Sequence, residues 1–356
     1  MDSLVIFLIG TGALSKAIVD TLSFSYLANI KFHIYGRSKA DSTWLATIGN
    51  TRSHLRGNRQ QFTARQIDWH SESALTDDMN KHKPSIVIHT ASLQSMWSLK
   101  QDNKWSNLVR ETGYGITMPL QCKLALVVAK AISLTLNPPH FINCCYPDAV
   151  NYILKKCGYD VLCGIGNIGI IDQLLSNDAS VYSGGLLLAN HFHVQELTKP
   201  PHLRSELPRL WIHGKELCDT RSFFEKVLIS NEPSLNSITA LTCLRLIAAL
   251  VDDKECLLHL PGPCGQIGGY PILFKDREIF SVGTGVIDHE DEKHWNKTKM
   301  QKEGLVFNED SVRFSEKTFE SINKYSAYLA EGFSFIDINI FINNFVDFKE
   351  RLSVLA

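Results

Sequence analysis

The chain has 356 residues and a formal net charge of −1, which is enough length for two domains or one large one. Apolar residues make up 44% and charged residues 21%, as in ordinary soluble globular proteins, and no long basic block favours nucleic acid or an anionic membrane surface as a partner. Nine cysteines without a CxxC spacing suit a reducing compartment. The N-terminus has no basic n-region, and no run approaches ~20 uninterrupted apolar residues, so we expect a cytoplasmic protein without a transmembrane helix.

Short apolar runs alternate with helical stretches over the first 150 residues. Residues 13–27 carry apolar side chains at helical spacing, and 124–134 form another predicted helix that ends at Pro138 and Pro139. This alternation predicts a parallel sheet that is covered on both faces. The predicted strands are 4–10, 31–35, 85–91 and 141–145.

The pattern changes after about residue 150. Glycine and proline punctuate short apolar runs, which is typical of antiparallel strands. The apolar tail indicates packing or an oligomer surface. The predicted elements are a strand at 181–197, a helix at 235–251, antiparallel strands within 259–282, a helix near 315–330 and the tail at 333–349.

The segment LIGTGALS places a Gly-Thr-Gly turn between the first strand and the first helix. A glycine turn at this junction brings pyrophosphate onto a helix N-terminus, so it favours a dinucleotide site over a tight turn without a ligand. Ser15 replaces the third glycine of the fingerprint and still allows close packing. The predicted cofactor contacts are Gly10, Thr11, Gly12, Ala13 and Leu14.

The second strand ends in IYGRSK. Sites that prefer NAD usually have Asp or Glu here, which accepts hydrogen bonds from the ribose hydroxyls. This chain has Gly36, so no carboxylate repels a 2′-phosphate, and Arg37, Ser38 and Lys39 could hold one. The alternative is a solvated basic loop. We expect NADP(H) in preference to NAD(H).

Several later segments resemble the malate/lactate dehydrogenase family. VIHTASLQS resembles a strand that ends in a Thr-Ala-Gly turn, which implies cofactor contacts at Thr90, Ala91 and Ser92. FINCCYPDAV resembles the strand and Asn-Pro-x-Asp turn that follow, with Cys145 at the Asn position and Asp148 retained; a shift of one residue would match Pro147 instead. GIGNIGIIDQLL is similar to G-x-x-G-x-L-D-x-x-R, and LLLANHFHVQEL resembles a strand that ends in Gly-Glu-His-Gly.

The resemblance implies an α/β fold in which an N-terminal Rossmann parallel sheet precedes a C-terminal α+β substrate domain. We place the dinucleotide-binding domain at 1–148 and the substrate domain, with a helical tail, at 149–356. The family usually forms dimers or tetramers, so a homodimer or homotetramer is expected.

The resemblance also implies a proton-transfer pair. In the family an aspartate orients a histidine, which exchanges a proton with the substrate while nicotinamide exchanges hydride at the same carbon. Asp172 and His191 would be that pair. His193, two residues further along the predicted strand, could take the role of His191. Without the resemblance, Asp172 would be a helix cap or surface acid and His191 a satisfied strand histidine.

The arginines that bind a 2-oxo acid in the family are missing. Leu175 stands at the position of the arginine fork, and the loop at 92–105 contains no arginine. Lys100 or Lys104 could bind an acid only as point charges. A larger, less acidic substrate is therefore expected, unless the loop aromatics merely pack. The predicted substrate contacts are Gln94, Trp97, Cys145, Leu175 and Asn236.

Two classes of function remain open. The first is an NADP(H)-dependent oxidoreductase that reduces a C=O bond, or a C=N bond, of a small-molecule substrate. The second is a catalytically silent dinucleotide-binding protein with a regulatory or scaffolding role. The adjacent cysteines at 144–145, together with His191 and His193, suggest a possible metal site. Cysteines at a strand end are more often core or turn residues, so no metal is expected.

Overall fold

The computed structural model describes residues 4–354 except for 59, 70, 72, 101, 178–183 and 253, and the side chains of Trp97 and Lys100 also lie outside this description.

The first half of the chain forms a five-stranded parallel sheet with the strand order β3-β2-β1-β4-β5. Its central strands are near-continuous apolar runs because both faces of the sheet are covered. A further parallel bridge joins Ile142 to Cys163 at the edge beyond β5. The strands are β1 (Leu4–Ile9), β2 (Ile30–Gly36), β3 (Gln61–Gln66), β4 (Ile86–His89) and β5 (His140–Asn143).

Helices cover the two faces of this sheet with separate apolar cores. Phe7 and Val87 point into one core, whereas their neighbours Leu8 and Ile88 point into the other, as the two-residue period of a strand requires. The helices in this half are α1 (Ala13–Ser23), α2 (Lys39–Arg56), α3 (Ala74–His82), α4 (Lys104–Thr112), α5 (Met118–Ser133) and α6 (Pro147–Lys156).

The second half contains three antiparallel sheets of three strands each. The first comprises β6 (Leu186–Leu188), β7 (Arg209–Ile212) and β8 (Lys215–Glu216). The second comprises β9 (Cys256–Pro261), β10 (Gly269–Lys275) and β11 (Glu278–Val282), where the sequence predicts antiparallel strands. The third comprises β12 (Leu305–Phe307), β13 (Ser311–Phe314) and β14 (Phe333–Ser334).

Eight helices accompany these sheets in the residues that the structure describes. They are α7 (Ile168–Leu175), α8 (His191–Glu196), α9 (Arg221–Phe224), α10 (Leu235–Asp252), α11 (His289–Lys302), α12 (Glu316–Asn323), α13 (Ala327–Ala330) and α14 (Ile338–Ser353). The apolar tail forms α14, which packs on α4 and α5. The α/β fold expected from the sequence is therefore confirmed.

The strand predicted over 181–197 is wrong beyond Leu188. Residues 181–183 lie outside the described part of the chain. Asn190 has an extended backbone and caps a helix that begins at His191. The chain therefore leaves the sheet before the histidines, and a two-residue spacing no longer puts His191 and His193 on one face.

Two helical segments, Tyr114–Ser133 and Leu235–Asp252, are long and apolar enough to cross a membrane by length and composition. Most of the apolar window of the first is buried, and the second packs on α1 and α7. Core helices that cover a sheet have the same properties, so these two segments are weak evidence for a membrane span.

A buried carboxylate joins three elements of the second half. Asp172, in α7, accepts from His259 Nδ1 at 2.9 Å and from Arg245 Nη1 at 2.8 Å. His259 Nε2 accepts the Leu187 N–H at 3.0 Å, so the ring proton is on Nδ1 and points at Asp172. The predicted pairing of Asp172 with His191 is corrected here, because both Asp172 oxygens face other elements.

Asp172→Ala should lower the free energy of unfolding by about 2–3 kcal/mol, because His259 Nδ1–H would be buried without an acceptor. Asp172→Asn keeps an acceptor and should lose about 1 kcal/mol. Urea unfolding would measure both losses. Asp160→Ala removes a 94% exposed carboxylate and should change stability by less than about 0.5 kcal/mol. Equal losses from Asp172→Ala and Asp172→Asn would contradict the assigned role.

Candidate active site

The glycine turn after β1 has the geometry of a phosphate cradle. Gly10 has φ +132°, and a Cβ there would lie 2.2 Å from Thr90 Oγ1. Gly12 begins α1 without a side-chain cap, so the first N–H groups of the helix are open to a ligand. Ser15, at the third position of the fingerprint, is buried and lies 2.6 Å from Thr90 through their hydroxyl oxygens. Next to these residues, Thr11 and Leu14 are partly exposed and Ala13 is exposed.

Three polar side chains follow β2 and have different partners. Ser38 is the N-cap of α2, and its Oγ accepts the Asp41 N–H at 3.2 Å. Lys39 Nζ donates to the Ala64 carbonyl at 2.8 Å. The exposed Arg37 guanidinium has no ion-pair partner in the described part of the chain, so of the two cations it is the one available to a ligand.

The ends of β4 and β5 are joined beside the glycine turn. Cys145 Sγ donates to the Ala91 carbonyl at 3.3 Å, and the Cys145 N–H donates to Asn143 Oδ1 at 3.1 Å. Burial raises the pKa of Cys145 to about 12, so the thiol stays protonated and is not a nucleophile. Ser92 Oγ donates to the Gln94 carbonyl at 2.7 Å.

Two predicted substrate contacts are corrected by their surroundings. Gln94 is buried: its Nε2 donates to Ser98 Oγ, and its Oε1 accepts from Trp105 Nε1 at 2.9 Å. Leu175 packs in an apolar core with Ile171 and other buried residues. Both side chains therefore stabilise the interior rather than face a ligand.

Two further predicted substrate contacts are Trp97 and Asn236. The Trp97 side chain lies outside the described residues. Asn236, in the first turn of α10, is partly exposed, and its Nδ2 is buried without a hydrogen-bond partner.

His191 begins α8 and is enclosed by two aromatic rings and a carboxylate. Its ring lies 4.9 Å from Tyr114 and 5.3 Å from Tyr146, measured between centroids. Its Nδ1 is hydrogen bonded to Glu303 Oε1, and Tyr146 donates its hydroxyl to Glu303 Oε2 at 2.6 Å. His191 Nε2 makes no hydrogen bond to a described residue, which leaves it available for proton transfer.

The carboxylate determines the ionisation of His191. Burial alone would lower its pKa, but the charge and hydrogen bond of Glu303, with the charge of Asp148, outweigh burial and raise the pKa above the ordinary value. His191 therefore keeps its proton to a higher pH than an ordinary histidine, as proton donation requires.

His193 is not equivalent to His191. It is fully buried, its Nδ1 accepts the Asn190 N–H at 3.2 Å, and its ring stacks on Trp295 with centroids 5.1 Å apart. Burial lowers the pKa of His193 to about 3, so it stays neutral. The geometry favours His191 as the proton donor.

A second acid lies near His191. Asp148 is fully buried, and burial raises its pKa to about 7. Asn167, which has φ +46°, donates its Nδ2 to Asp148 Oδ2. Asp148 Oδ1 is buried and has no hydrogen-bond partner in the described structure. Such an oxygen is costly unless something else satisfies it.

Sequence reasoning missed Glu303, Tyr114 and Tyr146. Glu303 is 112 residues from His191 in the chain and lies just after α11, in a stretch with no recognisable motif. A weak signal exists for Tyr146, because it precedes a proline that begins a helix and has φ +47°, which favours a special backbone role. Within the described residues, no group of three or more His, Cys, Asp or Glu side chains could hold a metal.

Glu303→Gln should lower the pKa of His191, because the carboxylate that outweighs burial is removed while burial remains. A pH titration of the His191 ring protons by NMR would measure the change. Glu292→Gln is a matched control: Glu292 is also buried and contacts a histidine, His289, at 2.8 Å. An unchanged His191 titration in Glu303→Gln would contradict the assigned pair.

Comparisons with known proteins place this geometry on a known fold. No protein-family model and no curated protein sequence matches the chain. It is similar to the malate dehydrogenase of Cryptosporidium parvum, with 14% identity and a TM-score of 0.55 over 85% of this chain and 96% of that one. It is also similar to the Eimeria maxima lactate dehydrogenase solved with NADH and oxamate, with 14% identity and a TM-score of 0.52 over 85% of this chain and 94% of that one. The Plasmodium falciparum malate dehydrogenase is similar with 14% identity and a TM-score of 0.53 over 90% of this chain and 99% of that one. The chain therefore has the fold of the malate and lactate dehydrogenases.

Proposed function

We propose that the protein is an oxidoreductase that transfers hydride between a nicotinamide dinucleotide and a C=O or C=N bond, with His191 as proton donor. The observation that carries this proposal is the His191–Glu303 pair. A chain of contacts links it to the glycine turn: Tyr146 lies against the His191 ring, and its neighbour Cys145 bonds to Ala91 at the end of β4. A Cβ on Gly10 would lie 3.2 Å from the Ala91 nitrogen. These contacts support the proposal that an acid–base group and a dinucleotide lie at the same end of the parallel sheet.

The residues of the glycine turn fit a dinucleotide. The turn at Gly10 leaves no room for a side chain, and the uncapped N-terminus of α1 offers N–H donors for pyrophosphate. Gly10, Gly12 and Ala13 would hold the phosphates. When bound, the nicotinamide supplies or accepts the hydride.

We propose NADP(H) as the preferred nucleotide. Gly36 has no carboxylate to repel a 2′-phosphate, and the exposed Arg37 can form a bidentate contact with one. Ser38 can still donate its hydroxyl proton while it caps α2. Lys39 would have to leave the Ala64 carbonyl to take part.

The mechanism assigns each neighbour of His191 a role. As hydride adds to the substrate carbon, the electrons of the double bond move to oxygen or nitrogen, which takes the proton from His191 Nε2. Glu303 fixes the tautomer by accepting from Nδ1 and stabilises the imidazolium before transfer. Tyr146 holds the second Glu303 oxygen, so the carboxylate cannot rotate away from the ring.

The second candidate is a silent dinucleotide-binding protein. The observation that favours it is the Tyr114 ring, which lies 4.9 Å from His191 and occupies space beside the proton donor. The two candidates agree on nucleotide binding and differ in turnover.

Titration with NADPH and NADH, followed by nucleotide fluorescence, tests the cofactor proposal. NADPH should bind at least ~10-fold more tightly, and Arg37→Ala should remove that preference by weakening NADPH alone. Arg56→Ala removes the arginine that ends α2, at the end of the helix remote from Arg37, and should leave both affinities unchanged. Equal affinities in the unmodified protein would contradict the NADP(H) preference, and binding of neither nucleotide would contradict both functions.

The pH dependence of NADPH oxidation tests the proton donor with a panel of carbonyl and imine compounds. For any compound reduced, kcat/KM should fall as pH rises through the raised pKa of His191, because the protonated donor is lost. His191→Ala should lower kcat by about 10²–10⁴-fold. Glu303→Gln should move the fall to lower pH, whereas Asp172→Asn should leave its midpoint unchanged. NADPH binding without oxidation across the panel would favour the silent protein.

A further inference from the structure

The charges around His191 are acidic. In the described residues, the groups that act electrostatically on its ring are Glu303 and Asp148, and neither a lysine nor an arginine is among them. The Glu303 side chain is 1% exposed and Asp148 is fully buried, so solvent screens neither well. The remaining close neighbours are uncharged, namely the rings of Tyr114 and Tyr146 and the amide of Gln195, whose Nε2 lies 3.4 Å from Nδ1.

Two cations of α4 do not offset these carboxyls. Lys104 is exposed at the start of α4. Arg110, in the same helix, is exposed and pairs with Asp102 and Asn107. Both cations therefore point into solvent rather than toward the buried acids.

Asp148 gives a separate indication of the charge that a ligand of this site would carry. Among the described residues, its Oδ1 is one of eleven buried side-chain polar atoms without a hydrogen-bond partner, and it is the one carboxylate oxygen among them. The ionised form of such a carboxyl is stabilised by a hydrogen-bond donor or a positive charge and is destabilised by another anion.

The rings of Tyr114 and Tyr146 also favour a positive charge. The face of a tyrosine ring attracts a cation by about 0.5–2 kcal/mol, depending on how far the cation is desolvated. The carboxylate of a 2-oxo acid would instead have to lie beside two buried carboxyls, and no arginine of the described residues acts on the His191 ring to offset them.

Resting on the function proposed above, we propose that the substrate reduced beside His191 is a cation, an iminium compound whose C=N bond becomes an amine, and that 2-oxo acids are excluded. Hydride from the reduced nicotinamide nucleotide adds to the carbon, and the π electrons become the nitrogen lone pair. That lone pair takes the proton from His191 Nε2, so the product leaves as an ammonium ion and the nucleotide as its oxidised form. Glu303 and the ionised form of Asp148 stabilise the positive charges of His191 and of the substrate.

Calorimetric titration with three small probes tests the preference for charge, with and without NADPH. Choline and 3,3-dimethyl-1-butanol have the same shape and differ in the positive charge, and oxamate is the anion bound in the Eimeria maxima lactate dehydrogenase structure. Choline should bind at least ~10-fold more tightly than the neutral alcohol, and oxamate should not bind. Choline binding no tighter than the alcohol, or oxamate binding tightest, would overturn the inference.

A variant of Asp148 tests whether choline binds beside this residue. Asp148→Asn should weaken choline about fivefold or more and leave the neutral alcohol unchanged. Asp160→Asn, which removes an acid with a 94% exposed side chain, should change neither. If Asp148→Asn does not fold, the His191 ring resonances of the unmodified protein decide the location: choline must shift them, and no shift overturns the assignment.

These titrations test nucleotide binding and the preference for a cationic ligand separately. Failure of NADPH to bind would contradict the proposed function, while the probe affinities measured without nucleotide still decide the preference for charge. NADPH binding together with a preference for oxamate would overturn the iminium assignment alone.

Discussion

The hydrogen bond between His191 and Glu303 is the interaction on which the site depends. A buried histidine without a carboxylate would be neutral at physiological pH, as His193 is. Glu303 also positions the segment next to Tyr114, because its backbone carbonyl accepts the Gly115 N–H at 3.0 Å. A Cβ on Gly115 would lie 2.3 Å from that oxygen, so only glycine allows this approach. One residue thus positions both His191, the proposed proton donor, and the segment that carries Tyr114.

Among the described residues, two histidine–carboxylate pairs have both side chains buried, and they differ in whether the second ring nitrogen is free. In the Asp172–His259 pair, the second ring nitrogen is occupied by the Leu187 N–H, so the pair can only hold elements together. In the Glu303–His191 pair, the second ring nitrogen has no hydrogen-bond partner among the described residues. The free nitrogen, rather than the presence of an acid beside a histidine, distinguishes a proton donor from a structural link.

The sequence predicted what local pattern determines. The buried strands around 4–10 and 85–91, the glycine turn and the late helix at 235–251 all follow from periodicity and from glycine at a strand–helix junction. The identity of His191 as a site residue came from resemblance. Its partner could not be found in this way, because Glu303 comes from a distant segment and any of the 37 acidic residues could have filled the role.

Two errors have a common physical cause. The strand expected through His191 ends early because Asn190 caps a helix, and local propensity does not separate the two outcomes over so few residues. Asp172 matched a motif position, yet its partners come from β9 and α10, which no local pattern links to it. Leu175 also occupied a motif position, but it is buried, as is the predicted substrate contact Gln94.

The most direct test of the central claim is an experimental structure of the protein with bound NADPH. The account predicts that the pyrophosphate lies on the N-terminus of α1 and that the nicotinamide C4 and His191 Nε2 face one space large enough for a substrate double bond, with Glu303 still bound to Nδ1. A nicotinamide ring separated from His191 by Tyr114, or a His191 paired with a carboxylate other than Glu303, would contradict it.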